Sequence, residues 1–173
     1  IDRKQQLWLG IEFLLIFLSC IGLLGYAQYL QHVQGLLPCP LCVAQRVAYW
    51  LIGVTALIAF LHNPSLTGNR FYSIFIMFFA FLGGIVAARH AWLIRYPESF
   101  ECGISPEEAF LNSLPIAEWW PGMFEANGDC ANIDWEFLSL TIPDWSFLAF
   151  IILICIAFFP ILKYRKNPNS KSI

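Results

Sequence analysis

The chain has 173 residues, 58% of them hydrophobic and 13% charged, with a mean hydropathy of +0.63. That composition is far more apolar than a water-soluble domain of this size and excludes an ordinary soluble fold. The formal net charge of −2 says little by itself, because the charges are unevenly spread, and no nucleic acid is expected as a partner.

Four apolar runs follow in chain order, at about Leu7–Leu30, Leu41–Leu61, Phe71–Trp92 and Trp145–Leu162. Each approaches the roughly 20 residues that a helix needs to cross a bilayer. The first run is too long for a signal peptide and lacks a small-residue cleavage site, so no cleavable leader is expected. Aromatic residues, 17% of the chain, gather at the edges of the runs, where amphipathic rings favour the membrane boundary. The expected fold is an all-α membrane protein, a bundle of four transmembrane helices with a long loop at about 93–144 between the third and fourth. One four-span domain over residues 1–163 and a short tail at 164–173 complete the layout.

Lys and Arg sort to one side: Arg3 and Lys4 before the first run, Arg70 between the second and third, and Lys163, Arg165, Lys166 and Lys171 at the end. The long loop carries ten carboxylates between Glu98 and Asp144, with Arg95 as its one clear base. The positive-inside rule then puts both termini in the cytoplasm and the Gln31–Pro40 and 93–144 loops outside. Within the long loop, Leu114–Phe124 is aromatic and apolar but broken by prolines. It reads as a segment lying flat in the membrane interface, or as a loop folded over the helix ends.

Cys20 and Cys155 fall inside apolar runs and read as small buried apolar residues, while Cys39, Cys42, Cys102 and Cys130 fall at or beyond their ends. Cys39-Pro40-Leu41-Cys42 opens the second run. Proline is favoured in a first helical turn, which puts Cys39 near the N-cap and Cys42 one turn in. Both thiols then share a face where unpaired backbone N–H groups stabilise a thiolate, the arrangement of a redox dithiol. Zinc would need a second close pair, and Cys102 and Cys130 are far apart in sequence. Val43 excludes the haem-attachment pattern, which has His at that place.

Arg46 lies four residues after Cys42, on the same helical face and deeper in the membrane. A charge there either snorkels to the headgroups or serves a function. Below a redox cysteine it is placed to stabilise a thiolate and the negative charge on a carbonyl acceptor. The third run ends at the same membrane face with Arg89 and His90; His90 is a candidate proton or hydrogen-bond donor to a reduced acceptor, or merely a solvated residue. His32 and His62 lack such company, and Glu12 is expected to reach back to water. Cys102 and Cys130 share one loop outside the membrane, where an oxidising compartment favours a disulfide between them. That bond is either a staple for the loop or a second, exchangeable redox pair.

Pro38-Cys39-Pro40-Leu41-Cys42 with Gln45-Arg46, Gly128-Asp129-Cys130-Ala131 with Trp135 and Phe137, and Pro143 with Trp145 together resemble the DsbB family of quinone-dependent disulfide-forming membrane proteins. The resemblance covers nearly the whole chain. It implies a bacterial inner-membrane oxidoreductase whose redox cysteines face the periplasm and whose partner is a DsbA-like thioredoxin-fold dithiol protein. It implies that this partner attacks the Cys102–Cys130 disulfide at Cys102, and that Cys130 exchanges with Cys39 to free Cys42. Electrons would leave to a membrane quinone, ubiquinone or menaquinone, polarised by Arg46 and His90. Two other readings compete: a quinone-linked enzyme like vitamin K epoxide reductase, whose CxxC sits on its last span, and a four-span adaptor with bracing disulfides.

Overall fold

The computed structural model describes residues 3–96, 106–125 and 135–165, without the side chains of 106–108 and 164–165. Four long helices carry the fold: α1 (Arg3–Val33), α2 (Pro40–His62), α3 (Leu66–Arg95) and α7 (Ile142–Arg165). All four are long and apolar enough to cross a membrane. Within hydrocarbon the backbone must satisfy its own hydrogen bonds, which is why such runs become helices. Each helix continues past its apolar run, so the connection between the second and third runs, residues 62–70 in the sequence, shrinks to Asn63-Pro64-Ser65 between α2 and α3.

Local signals end the helices where expected from physics. After Val33 the amides of Gln34 and Leu36 both donate to Leu30 O, with Gly35 at φ +70 supplying the left-handed turn. Asn63 closes α2 in the left-handed region, its N–H donating to Ala59 O. Gly68 is required close by, because a Cβ there would sit 2.6 Å from Pro64 Cβ.

In the bundle α1 packs on α2, α2 on α3 and α3 on α7, whereas α1 and α7 barely touch. Phe13, Ile16, Cys20, Tyr49, Ile52, Ile76 and Phe150 form one buried core across the four helices. Large apolar residues such as Leu15, Val54, Phe78, Phe81, Ile85 and Ile152 point outward. So broad an apolar exterior suits lipid rather than water. Cys155 also lies on this exterior, unlike fully buried Cys20, and Glu12 is half-buried rather than reaching free of the bundle.

Between α3 and α7 lie α4 (Pro106–Ser113), α5 (Pro115–Trp119), α6 (Pro121–Phe124) and a hairpin, β1 (Glu136–Phe137) with β2 (Leu140–Thr141). The α4–α6 segment folds onto the bundle. Met123 joins its core, Trp120 packs on Trp50, and Gln28 donates to Gly122 O at 3.1 Å. Trp119 stays 82% exposed, so one face of the segment remains free for the headgroup region. The hairpin pairs Glu136 with Thr141 and turns through Leu138 and Ser139, both at positive φ. Asp144 pins it: Thr141 donates to Oδ2 through N–H and Oγ, and Arg95 donates to Oδ1 at 3.0 Å. Asp144, at the third position of α7, reaches back to the Thr141 N–H as in one half of a capping box.

Close helix approach depends on Gly83, where a Cβ would lie 2.5 Å from the Phe150 ring and 3.0 Å from Ala48 Cβ. Gly83→Ala is therefore expected to cost about 1–3 kcal/mol by overpacking. Gly84→Ala should be close to neutral, since its Cβ would meet only Phe150 Cβ at 3.8 Å. Thermal melting of both variants in detergent tests the pair; equal midpoints would show that Phe150 yields freely.

Candidate functional site

Cys39 is the N-cap residue of α2, with Pro40 in the first turn, and its Sγ accepts from Cys42 N at 3.4 Å. The sulfur occupies the role that Ser or Asp oxygen plays in ordinary caps. Its thiol lies 3.5 Å from the Cys42 thiol. The helix start thus holds both sulfurs at the positive end of the α2 dipole.

His90 reaches these thiols from the last turns of α3. Its Nε2 is 3.6 Å from Cys39 Sγ and its Nδ1 is 3.7 Å from Cys42 Sγ. Gln45 contacts the same Nδ1 at 3.3 Å. With 4% of its surface exposed, His90 is no solvated interfacial histidine but part of the dithiol's wall.

Arg46 is likewise turned inward, at 7% exposure, which rules out snorkelling. Its Nη1 donates to Gln31 Oε1 at 2.9 Å and to Met123 O at 3.0 Å. Among the described residues both bonds use the same nitrogen, which leaves the guanidinium's other donors for something else. Met123 O is available because α6 folds against α2, and Gln31 because α1 runs a turn past its apolar stretch.

Cys42, Gln45, Arg46 and His90 line a cavity of about 600 Å³. Leu24, Ala27 and Leu30 of α1 form one side and Pro143, Ala149 and Ile152 of α7 the other. It occupies the space left where those two helices fail to pack. Tyr49 floors it, stacked on Phe150 at 4.3 Å and bonded to Ser146 Oγ at 2.9 Å. Trp135 and Phe137 stack across its outer end, linking Tyr26 of α1 to Trp145 of α7 through successive ring contacts. An apolar pocket with a few convergent polar groups is the form of a small-molecule site.

Of the residues singled out in the sequence, the fold brings Cys39, Cys42, Arg46 and His90 together. Cys102 and Cys130 lie outside the described residues. Gln31, Gln45, Tyr49, Ser146 and the Met123 carbonyl complete the site without having been assigned a part. Gln45 alone carried a signal, its position three residues after Cys42 on the same face.

Residues 11–160 match the family described as "Disulfide bond formation protein DsbB". The chain is 64% identical to "Disulfide bond formation protein B" of Nitrosospira multiformis over 154 residues, 89% of this chain and 91% of the relative. It is 65% identical to the protein of that name from Nitrosomonas eutropha over 160 residues, 92% and 97% of the two chains. Identity to "Disulfide bond formation protein B 1" of Pseudomonas aeruginosa is 40% over 140 residues, 80% and 86% of the two chains. The chain therefore belongs to the DsbB family, as a multi-pass membrane protein of disulfide bond formation and, in general terms, a disulfide-forming oxidoreductase.

Proposed function

We propose that the protein reoxidises a DsbA-like thioredoxin-fold dithiol protein of the periplasm and passes the electrons to a membrane quinone. The observation that carries this reading is a dithiol at a helix N-cap, opening on an apolar cavity whose wall also holds a buried arginine with donors to spare. The apolar space between α1 and α7 suits a lipid-soluble molecule, and Arg46, His90 and Gln45 are polar groups able to hold a carbonyl head.

The thiol steps balance as exchanges. The partner's thiolate attacks Cys102 of the Cys102–Cys130 disulfide and releases Cys130 as a thiolate. Cys130 attacks Cys39 of the Cys39–Cys42 disulfide and releases Cys42. The partner's second thiolate resolves the mixed disulfide, leaving the partner oxidised and Cys102 free to reclaim Cys130, which frees Cys39. One disulfide has then moved outward to the partner, and the inner pair is a dithiol. A quinone bound beside Cys42 would accept the two electrons and two protons that restore the inner disulfide. Arg46, anchored by Gln31 and Met123, stabilises negative charge on the Cys42 side. His90, touching both sulfurs, is placed to hold a proton that leaves them. Apolar walls keep water away from the exchange. Anaerobic reduction of a quinone on adding the reduced partner to the purified protein tests this function.

The orientation that goes with it has the chain in the bacterial inner membrane, both termini cytoplasmic and the redox cysteines periplasmic, on the motive of the charge sorting. With the native cysteines replaced, a single cysteine at Leu66 or at Phe110 is offered a membrane-impermeant thiol reagent in spheroplasts. Only the Phe110→Cys probe should be labelled; labelling of Leu66→Cys alone would invert the topology.

A further inference from the structure

Among the described residues, one group of side chains has the composition and spacing to hold a metal ion: Cys39, Cys42 and His90, one donor atom from each lying within 4.8 Å of the others. We propose that the reduced dithiol and His90 form a three-ligand site for a thiophilic divalent ion such as Zn²⁺, and that an ion bound there withholds the dithiol from reoxidation. The second half of this statement rests on the redox reading above; the first does not.

The spacing is what a tetrahedral ion needs. With bonds of about 2.3 Å to sulfur and about 2.0 Å to imidazole nitrogen, two sulfurs on one ion lie about 3.8 Å apart, and a sulfur and a nitrogen about 3.5 Å apart. The two sulfurs stand at 3.5 Å and Cys39 Sγ stands 3.6 Å from His90 Nε2. Gln45 Nε2 faces His90 Nδ1 at 3.3 Å; metal binding through Nε2 requires this amide to turn, so that its oxygen accepts from Nδ1–H and Nε2 keeps a lone pair for the ion. The imidazole must also turn toward Cys42, whose Sγ now stands 3.7 Å from Nδ1.

Charge and access fit as well. Capture by two thiols releases two protons, and the two thiolates cancel the ion's charge, so no net charge is added beside Arg46. Cys42 and His90 both line the cavity, which leaves its side of the ion for a fourth ligand, water or another small donor. Oxidation to the Cys39–Cys42 disulfide removes both sulfur ligands at once. The site is therefore open to metal only in the reduced state.

The test uses the full-length protein in detergent with Cys102→Ser and Cys130→Ser, which leaves Cys20 and Cys155 as the only other thiols. Cd²⁺ is titrated in, because its thiolate complexes show an ultraviolet charge-transfer band. One Cd²⁺ per reduced chain should raise the band, displaced by Zn²⁺, and the oxidised chain should give none. Cys42→Ser should lose the band, and His90→Ala should weaken binding by about tenfold or more with an unchanged thermal midpoint. A band that persists in the oxidised chain or in Cys42→Ser, or an affinity indifferent to His90→Ala, would overturn the site. In the protein with all its cysteines, Zn²⁺ at saturating level should suppress dithiol-driven quinone reduction, and a chelator should restore it. Undiminished reduction with Zn²⁺ bound would overturn the inhibition, whereas no reduction even in metal-free protein would overturn the redox reading and leave the binding result standing.

Discussion

Cys130→Ser is expected to trap the partner as a covalent complex at Cys102. On the proposed relay, the variant keeps the thiol that first meets the partner and lacks the one that carries the exchange inward. A mixed disulfide, once made, then has no route to Cys39. Cys39 caps α2 at 3% exposure and Cys42 sits behind it against His90, so a folded soluble protein has little access to either sulfur. On a non-reducing gel the complex should become a dominant species in Cys130→Ser and vanish when Cys102→Ser is added. Persistence in Cys102→Ser, with loss in Cys39→Ser, would mean that the partner attacks the inner pair directly.

Arg46→Ala is expected to raise the apparent KM for quinone by about tenfold or more while leaving the KM for the dithiol partner nearly unchanged. The guanidinium lies on the cavity wall one turn below Cys42, where the quinone is proposed to bind, whereas the partner is proposed to meet Cys102. Because Arg46 also joins α2 to Gln31 and to Met123 O, its loss removes two hydrogen bonds as well as a charge. Gln31→Ala separates the two effects, since it loosens the anchor but keeps the charge. It should give a smaller rise in the same constant. Equal kinetics for wild type and Arg46→Ala would remove the arginine from the acceptor site.

How far the site could be read in advance depends on the kind of relation involved. Cys39, Cys42 and Arg46 are related by helical spacing on one element, so their common face follows from the sequence. The Pro residues around the cysteines mark the helix start, and the cap geometry agrees. His90 belongs to α3, and its contact with both sulfurs depends on how α3 slides along α2, which no local pattern encodes. Cysteine counting likewise weighs thiols along the chain alone, so a grouping of possible metal donors that draws His90 from another helix lies outside its reach.

The bundle was legible for a different reason. Long apolar runs admit few alternatives in a bilayer, and the four helices appear where the runs are, lengthened at their ends by one to five residues. The α4–α6 segment was half legible: its prolines and aromatics showed that it does not span, but its docking through Met123 and Gly122 rests on backbone carbonyls common to every residue. Leu138-Ser139 is not a turn dipeptide that announces a hairpin, and this turn is held by Asp144 and Trp145 from outside it.

The central claim is that electrons from a soluble dithiol leave through the Cys39–Cys42 pair to a quinone in the cavity between α1 and α7. Its most direct measurement is anaerobic turnover of the purified protein with the reduced partner and a soluble quinone, following quinone absorbance and partner disulfide together. One quinol should form for each partner disulfide, with no turnover in Cys42→Ser. Partner oxidation without quinol, or quinol formation that survives in Cys42→Ser, would contradict it.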